Sequence, residues 1–423
     1  HLSILRTPVT PDIAQPPRSL RIVPSKVLII GAGPSGMACA ATLHAAGHHV
    51  TVVDKATFPR DKCCGDGLTT NALRILEELN FDPSRVPDWQ VCDQVEMRSP
   101  DGRVIDLPLP NIGGIFAAIA PRQQLDHALV MHGRDMGISV LEGHAFVSLP
   151  KNDDGGVSAE IEGLGTIEAD YVIAADGMWS PVRKSLGLSS PGYLGEWHAF
   201  RQYIGNVNGS ANTKLHIWFD DDLLPGYAWS FPLPGNRVNF GFGILRTSDR
   251  STKFMNDTWR NLLTRPHIVE ALGSDFVPED RHTAWPIPAR INTAVRSSGR
   301  VLFIGDAVCA TDTLTGEGIG QALETGIAAA EAIIAGSNPS DVRKKYSKRL
   351  DQELLADHRM SAMLGRAMAS PRIARMVLAL VSTNDWTKRN FVRWMFEDER
   401  RAIVFTPRRW HRKFLARPGA YQS

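Results

Sequence analysis

Two adjacent cysteines, Cys63 and Cys64, open the stretch KCCGDGL in a chain of 423 residues that holds only five cysteines. A tetrahedral metal site needs about four ligands at suitable spacing, and the flanking sequence supplies none beyond this pair. The C-x-x-C spacing of a redox pair is absent, and a disulfide between neighbours closes a strained ring. What the stretch does offer is Gly65 and Gly67, which let backbone approach another group closely. With Cys39, Cys92 and Cys309 elsewhere, the cysteines are too few and too scattered for a disulfide framework, which points to a reducing compartment.

More chemistry is encoded in KVLIIGAGPSGMACAATLHAAGHHVTVVDK, beginning at Lys26. Val27 to Ile30 is a continuous aliphatic run, as in a buried parallel strand. Gly31-Ala32-Gly33-Pro34-Ser35-Gly36 then fits G-x-G-x-x-G: a tight turn, a close approach to pyrophosphate, and a helix packed on the sheet. Asp54, followed by Lys55, ends the next strand, where an acid accepts bonds from ribose hydroxyls. Strand, loop, helix, strand and acid in this order predict a dinucleotide site.

Two further segments repeat the theme. ADYVIAADGMWSPVRKSLGL sets Asp176-Gly177 after the apolar run Tyr171 to Ala174. GRVLFIGDAVCATDTLTGEGIGQALETG sets Gly305-Asp306 after Val301 to Ile304, and Thr315, Gly316, Gly318 and Ile319 lead into a small-residue helix. An acid at a strand end beside a glycine-rich helix start can hold a polyol chain and present N–H groups to an anion. Taken singly, each is also an ordinary strand-turn-helix.

In this order the three motifs resemble the FAD-dependent oxidoreductases built like para-hydroxybenzoate hydroxylase. The resemblance implies FAD held by Gly31, Gly33, Pro34, Ser35, Gly36, Asp54, Lys55, Asp176, Gly177, Gly305, Asp306, Thr315, Gly316, Gly318 and Ile319. It also gives Arg122, which opens a helix in PRQQLD, a flavin contact; the residue alone reads equally as a solvated helix-start arginine. Within that superfamily, three stretches resemble the geranylgeranyl reductase family, which includes menaquinone side-chain reductases. They are Phe58-Pro59-Arg60-Asp61-Lys62 with Cys64-Gly65-Asp66-Gly67-Leu68, then Tyr227-x-Trp229-x-Phe231-Pro232, and TLTGEGI. Thr313 stands where the family has proline, a departure expected to loosen the loop.

By this resemblance Cys64, Gly65, Asp66 and Gly67 lie against the flavin ring, and Cys64, Tyr227 and Trp229 are the catalytic candidates. Cys63 has no counterpart in the family. Tyr227, Trp229 and Phe231 alternate as on a strand, so they share one face. That face is either the core side of a sheet or an apolar wall over the flavin, and Pro225, Gly226 and Pro232 suggest a rim or edge strand. The implied activity is reduction of double bonds in a polyprenyl chain: a geranylgeranyl group, a menaquinone side chain or an isoprenoid lipid. The accompanying proton has three candidate sources, Cys64, Tyr227 and ordered water. No second glycine fingerprint serves NAD(P)H, so the electron donor is NAD(P)H docking transiently, a deazaflavin or another protein. The alternative is an FAD-dependent monooxygenase, a hydroxylase or epoxidase of an aromatic or polyketide-like substrate. A halogenase fits less well, because Tyr227 and Phe231 replace the outer positions of Trp-x-Trp-x-Ile-Pro and CCGDGLTTNALRIL holds no lysine. A flavin-bound sensor or membrane scaffold without turnover is a third class.

The expected architecture is α/β: a Rossmann-like FAD-binding domain interleaved with an antiparallel-sheet substrate domain, plus a C-terminal helical region. Residues 1–25, with five prolines and no apolar core segment, read as a flexible arm rather than a signal peptide. The FAD-binding domain is assigned to 26–88, 113–188 and 295–338. The substrate domain takes 89–112, with a hairpin through Pro100-Asp101-Gly102, and 189–294. Residues 339–423 form the helical, basic-aromatic remainder. There, from Arg400 onward, seven Lys or Arg and no acid alternate with Phe405, Trp410, Phe414 and Tyr421. Such a tail suits peripheral docking on an anionic membrane, at about 1 kcal/mol per basic residue, or a solvated or self-associating helix. The Asp220-Asp221-Asp222 run is a cation candidate or a solvated loop. A net charge of +2 argues against nucleic acid as a partner, and no apolar run approaches the ~18 residues of a membrane span. The expected partner is a hydrophobic small molecule, and the expected location is cytoplasmic with a membrane-associated fraction.

Overall fold

The aliphatic runs of the fingerprint and the Asp-Gly motif become neighbouring parallel strands. Lys26–Ile30 pairs with Tyr171–Ala174 on one side and His49–Asp54 on the other. Val301–Phe303 and Ser139–Glu142 extend this sheet in parallel, and Ser297–Ser298 adds an antiparallel edge, making six strands. The continuous apolar sequence follows from burial on both faces, with helix Pro34–Ala45 on one and the small sheet that includes Gly165–Ala169 on the other. Gly31, Asp54, Asp176 and Asp306 all follow the carboxyl ends of these strands, the end where open α/β sheets bind ligands. The computed structural model describes residues 24–110, 113–150, 155–403, 406–410 and 416–422. The proline-rich arm up to residue 23, and Phe405, Arg412, Lys413 and Phe414 of the tail, lie outside the described residues.

Helix Pro34–Ala45 runs back along this sheet and packs on helix Ile319–Ala335. The approach is so close that a Cβ at Gly326 would lie 2.3 Å from the Ser35 carbonyl oxygen, which is why both helices are rich in Gly and Ala.

A second sheet of eight strands stands over the carboxyl ends of the first. Its order is Val277–Pro278, Trp197–Gly205, Arg237–Leu245, Tyr227–Leu233, Leu215–Trp218, Gln94–Arg98 and Val104–Pro108, with Thr283–Ile287 also pairing with Trp197–Gly205. All of its pairings are antiparallel except that of Leu215–Trp218 with Gln94–Arg98. The hairpin expected through Gly102 is present as Gln94–Arg98 against Val104–Pro108. Tyr227–Leu233 corrects one expectation: it is flanked by strands on both sides and is an interior strand, not an edge. Pro232 sits near its end, where a missing N–H costs little.

Two small antiparallel sheets complete the β structure. Phe146–Ser148, Val157–Ile161 and Gly165–Ala169 form one that sequence reading did not register. Gly67–Leu68 and Gln90–Val91 both pair with Ala118–Ile119, which anchors the cysteine loop.

From Pro339 the chain is helical. Helices Pro339–Leu350 and Ala356–Met368 are joined through a π-helical turn at Asp351–Leu355, and Pro371–Val381 and Asp385–Met395 follow. Ala374, Leu378 and Val381 recur at helical spacing on one face. Leu378, Val381 and Val392 share a core with Val95, Ile105 and Leu107, so these helices are fastened to the outer end of the eight-stranded sheet. Burying each such side chain stabilises the junction by about 2 kcal/mol.

Candidate functional site

The fingerprint turn is set by sterics. Gly31 has φ +111°, and a Cβ there would lie 2.3 Å from the Ala175 carbonyl oxygen; at Gly36 it would lie 1.9 Å from the Gly31 oxygen. Gly33 differs: a Cβ would meet only Arg60 Nη2, at 3.7 Å, so its front is open. The helices beginning after Gly33 and Gly318 carry no side-chain cap at those glycines, and both starts face one cavity. The positive ends of two helix dipoles there suit an anion, although at the second start the Glu317 carboxyl already takes the Gly320 N–H at 2.6 Å.

Three acids surround that opening. Asp54 accepts from Ala32 N and Ala56 N, both at 2.8 Å, which fixes its carboxylate with lone pairs to spare. Asp176 accepts from Val182 N at 3.0 Å through Oδ2, while Oδ1 is buried and has no partner among the described residues. Burial pushes its pKa up to about 6, against the lowering by Ser180 and Val182. Asp306 lies 3.5 Å from Lys62 Nζ, and Lys62 in turn sits over the Trp285 ring at 4.1 Å.

The cysteine loop is held from behind by residues that sequence reading missed. Arg201, 3% exposed, donates to the carbonyls of Cys64 at 3.2 Å and Lys62 at 3.1 Å and to Asp61 at 2.8 Å. Asn239, fully buried, donates to the Cys64 carbonyl at 2.8 Å and to Asp66 at 2.7 Å, and accepts from Trp229 Nε1 at 3.1 Å. The only available signal was a polar residue inside each of two apolar strand sequences, WHAFRQYIG and RVNFGFGIL. Asp66 turns its carboxylate to Tyr203 Oη and Asn239, both at 2.7 Å, and to Arg122 N at 3.1 Å. In that pose it holds the loop in shape. Arg122 is committed likewise, by a bidentate pair with Asp126 at 2.7 and 2.8 Å.

Cys63 and Cys64 are both free thiols. Cys64 Sγ accepts from Asp66 N at 3.3 Å, and burial raises its pKa despite Arg122 nearby, so it stays a neutral thiol. Tyr227, Trp229 and Phe231 do share a face, with successive ring centroids 6.1 Å apart. Phe231 lies flush on Gly65 and Gly67, where a Cβ would come within 3.3 and 3.1 Å of its ring. Tyr227 donates its hydroxyl to the Thr315 carbonyl, and burial raises its pKa, so it too is neutral. Thr313 does not leave its loop loose: its hydroxyl accepts from Trp197 Nε1 at 3.2 Å, and Asp312 accepts from Leu314 N and Thr315 N at 3.0 and 2.9 Å.

These segments enclose one cavity of about 1090 Å³. It is lined by Gly31, Gly33, Pro34, Ser35, Asp54, Lys55, Cys64, Gly65, Asp66, Gly67, Arg122, Asp176, Gly177, Tyr227, Trp229, Asp306, Thr315, Gly316, Gly318 and Ile319. Gly36 and Gly305 lie behind its wall, serving the turn and the helix packing. Past the aromatic wall the cavity continues between Leu364, Met368, Val377, Leu378, Phe391 and Met395 of the C-terminal helices, a lining that sequence reading did not assign.

Other candidates have structural partners. His216 sits between Ser210 and Glu96, His282 stacks on Phe200, and burial lowers His198 to about 4. Asp220, Asp221 and Asp222 are ion-paired to Arg265 and Arg375. Part of the tail is tied to the protein. Arg400 pairs with Glu324 and Glu353, Arg401 with Glu397 and Asp312, and Arg409 with Asp357, while Ala420 bridges to Ile115. These cations point into the protein rather than toward a membrane.

Two helix starts on one cavity, an open Gly33, polyol-accepting acids and an Asp176 oxygen with no partner among the described residues form a set of donors and acceptors that fits FAD. Comparison with known proteins agrees. Residues 24–349 match the FAD binding domain family. The menaquinone reductase of Mycobacterium tuberculosis is 32% identical over 76% of this chain and 80% of its own. The digeranylgeranylglycerophospholipid reductase of Methanosarcina mazei is 26% identical over 75% of this chain and 76% of its own. The crystal structure of a geranylgeranyl bacteriochlorophyll reductase-like protein from Thermoplasma acidophilum shares the fold with TM-score 0.75 at 20% identity, covering 91% of this chain and 99% of that one. The chain belongs to the FAD-binding family of flavin-dependent oxidoreductases that includes these reductases.

Proposed function

We propose that this protein saturates double bonds of a polyprenyl chain, carried by a menaquinone or a geranylgeranyl lipid. One observation carries the reading: the cavity that begins at the FAD cradle continues past Tyr227, Trp229 and Phe231 into an apolar end between C-terminal helices. A polar or compact aromatic substrate has no use for that extension, whereas a long hydrocarbon is bound there by exclusion of water.

Reduced FAD supplies a hydride for such a reaction. The chain's own residues supply position and dryness. Gly31, Gly33, Pro34 and Ser35 would cradle the pyrophosphate, Asp54 and Asp306 would take the polyol hydroxyls, and Lys55, Asp176, Gly177, Thr315, Gly316, Gly318 and Ile319 would complete the contacts. Cys64, Gly65 and Gly67 would face the ring, with Arg201 and Asn239 fixing the loop behind them. Trp229, tied to Asn239, is fixed in the middle of the wall, and Tyr227 joins it to the Thr315 loop. An isolated alkene accepts hydride only if a proton reaches the other carbon nearly in step, which requires a site closed to bulk water.

Access from a lipid surface fits helices Ala356–Met368, Pro371–Val381 and Asp385–Met395 better than the tail. Met363, Met376, Leu380 and Trp386 are exposed there, beside exposed Arg366, Arg372 and Arg389. Apolar side chains ringed by cations are the composition that enters an anionic bilayer interface.

The test is a single turnover. Chemically reduced, FAD-loaded protein is mixed anaerobically with menaquinones and geranylgeranyl lipids. Flavin reoxidation with a product heavier by two hydrogens is expected. Reoxidation only on admission of air, with oxygen inserted into another compound, contradicts the proposal and makes the protein a monooxygenase.

A further inference from the structure

Behind Tyr227 the cavity wall is acidic. Asp312, Glu317 and Glu397 gather around one guanidinium, that of Arg401, whose side chain is 1% exposed. Arg401 lies 3.4 Å from Asp312 Oδ2 and 3.1 Å from Glu397 Oε1. The neighbouring Arg400 is committed to Glu324 and Glu353. Three carboxylates around one cation leave an excess of negative charge if all ionise, and burial makes that excess costly.

Hydrogen bonds decide which acid keeps its charge. Asp312 accepts from Leu314 N, Thr315 N, Thr315 Oγ1 and Ser361 Oγ at 2.6 to 3.0 Å. Against its burial, Arg401, Ser361 and the two backbone donors hold its pKa below the usual range. Glu397 accepts from Gln321 Nε2 and Arg401 Nη2 at 3.1 Å and more weakly from Thr69 Oγ1 at 3.4 Å. For the Glu317 carboxyl the one hydrogen bond among the described residues comes from Gly320 N, at 2.6 Å. Burial and mutual repulsion raise Glu317 well above the carboxylate range, and burial raises Glu397. A separate feature asks for the same proton. Gln321 is buried and spends its N–H on Glu397, yet its own carbonyl oxygen finds no donor among the described residues, which an acid O–H in this cluster would provide. Of the three acids, Glu317 is the one on the cavity wall.

We propose that Glu317 and Glu397 share one proton at neutral pH, and that Glu317 donates it to the alkene carbon that does not receive hydride. This rests on the reductase reading above. As the hydride from reduced FAD forms a C–H bond at one alkene carbon, the π pair takes the Glu317 proton at the other. FAD ends oxidised, the alkene ends reduced, and Glu317 ends as a carboxylate that regains its proton from water. Glu397 is a positioning residue: its charge keeps the proton on its neighbour. The other titratable groups beside the cluster are Tyr227, neutral and bonded to the Thr315 carbonyl, His358 beside Asp312, whose pKa burial lowers, and Asp357, which is paired with Arg409.

The test uses the full-length, FAD-loaded protein labelled with carbon-13 at the glutamate side-chain carboxyl and titrated by NMR. A glutamate titrating far above the ordinary range is expected, absent in Glu317→Gln and moved to lower pH in Glu397→Gln. In single turnover with a prenyl substrate, Glu317→Gln should keep FAD and saturate the alkene about 100-fold more slowly or worse. Glu397→Gln should move the alkaline limb of the pH profile to lower pH, and this carries the test if Glu317→Gln fails to fold. Ordinary titration of every glutamate, or wild-type turnover by Glu317→Gln, overturns the proposal. A wild-type protein that saturates no prenyl alkene overturns the reductase reading and the donor role with it, while the titration still decides the shared proton.

Discussion

At its fingerprint end the cavity is walled by backbone and short side chains within a few positions of strand ends: Gly31, Gly33, Asp54, Asp176 and Asp306. At its far end it is walled by apolar side chains from helices after residue 355, such as Leu364, Val377 and Phe391. The first end holds one cofactor by placing donors and acceptors where hydroxyls and phosphate need them. The second requires only volume and dryness, which many residue choices satisfy. Damage to the two ends should therefore look different: loss of the cofactor at one, altered chain selection at the other.

Asp306→Ala should separate them most sharply, weakening FAD retention by about 100-fold, the scale of losing two charge-assisted hydrogen bonds, as read from FAD fluorescence released on dilution. Val377→Trp should leave FAD in place and lower kcat/KM for the longest prenyl chains by about 10-fold or more through overpacking, with short chains spared. Equal loss for short and long chains would mean that the helical end is not where the chain lies. Met376→Glu and Leu380→Glu, on the exposed side of the same helix, should each cut binding to anionic vesicles by about 10-fold without moving Tm. The smallest effect is at Asp176. Its folded pKa of about 6 lies above the ordinary carboxylate value, so the folded state binds more protons in that window. The Asp176 contribution to the stability of the FAD-free protein should be full in the acid range and be lost as pH rises through about 6, so Asp176→Asn should differ from the wild type in urea unfolding by an amount that changes across that window.

The contrast between the ends also explains what could be read in advance. The fingerprint, the Asp-Gly motif and the Gly-Asp motif are contiguous strings whose spacing encodes a turn, so Gly31 to Ser35 and Thr315 to Ile319 were legible from sequence alone. Arg201 and Asn239 were not, because their partners Asp61, Cys64 and Asp66 are more than a hundred residues distant in the chain. The ion pairs of three tail arginines were hidden for the same reason. Arg400, Arg401 and Arg409 look solvated beside basic neighbours, but Glu324, Glu353, Asp357 and Asp312 come from helices and loops folded against them. The apolar lining of the far end is encoded only as amphipathic helices, and that pattern says that one face is buried without saying against what.

The most direct measurement is a crystal structure of the FAD-loaded protein with a fully saturated polyprenyl ligand, which binds without turning over. The chain should pass the ring along Tyr227, Trp229 and Phe231 and end between Leu364, Val377 and Phe391. A ligand that stops at the aromatic wall, or lies elsewhere with the helical end empty, would contradict the account.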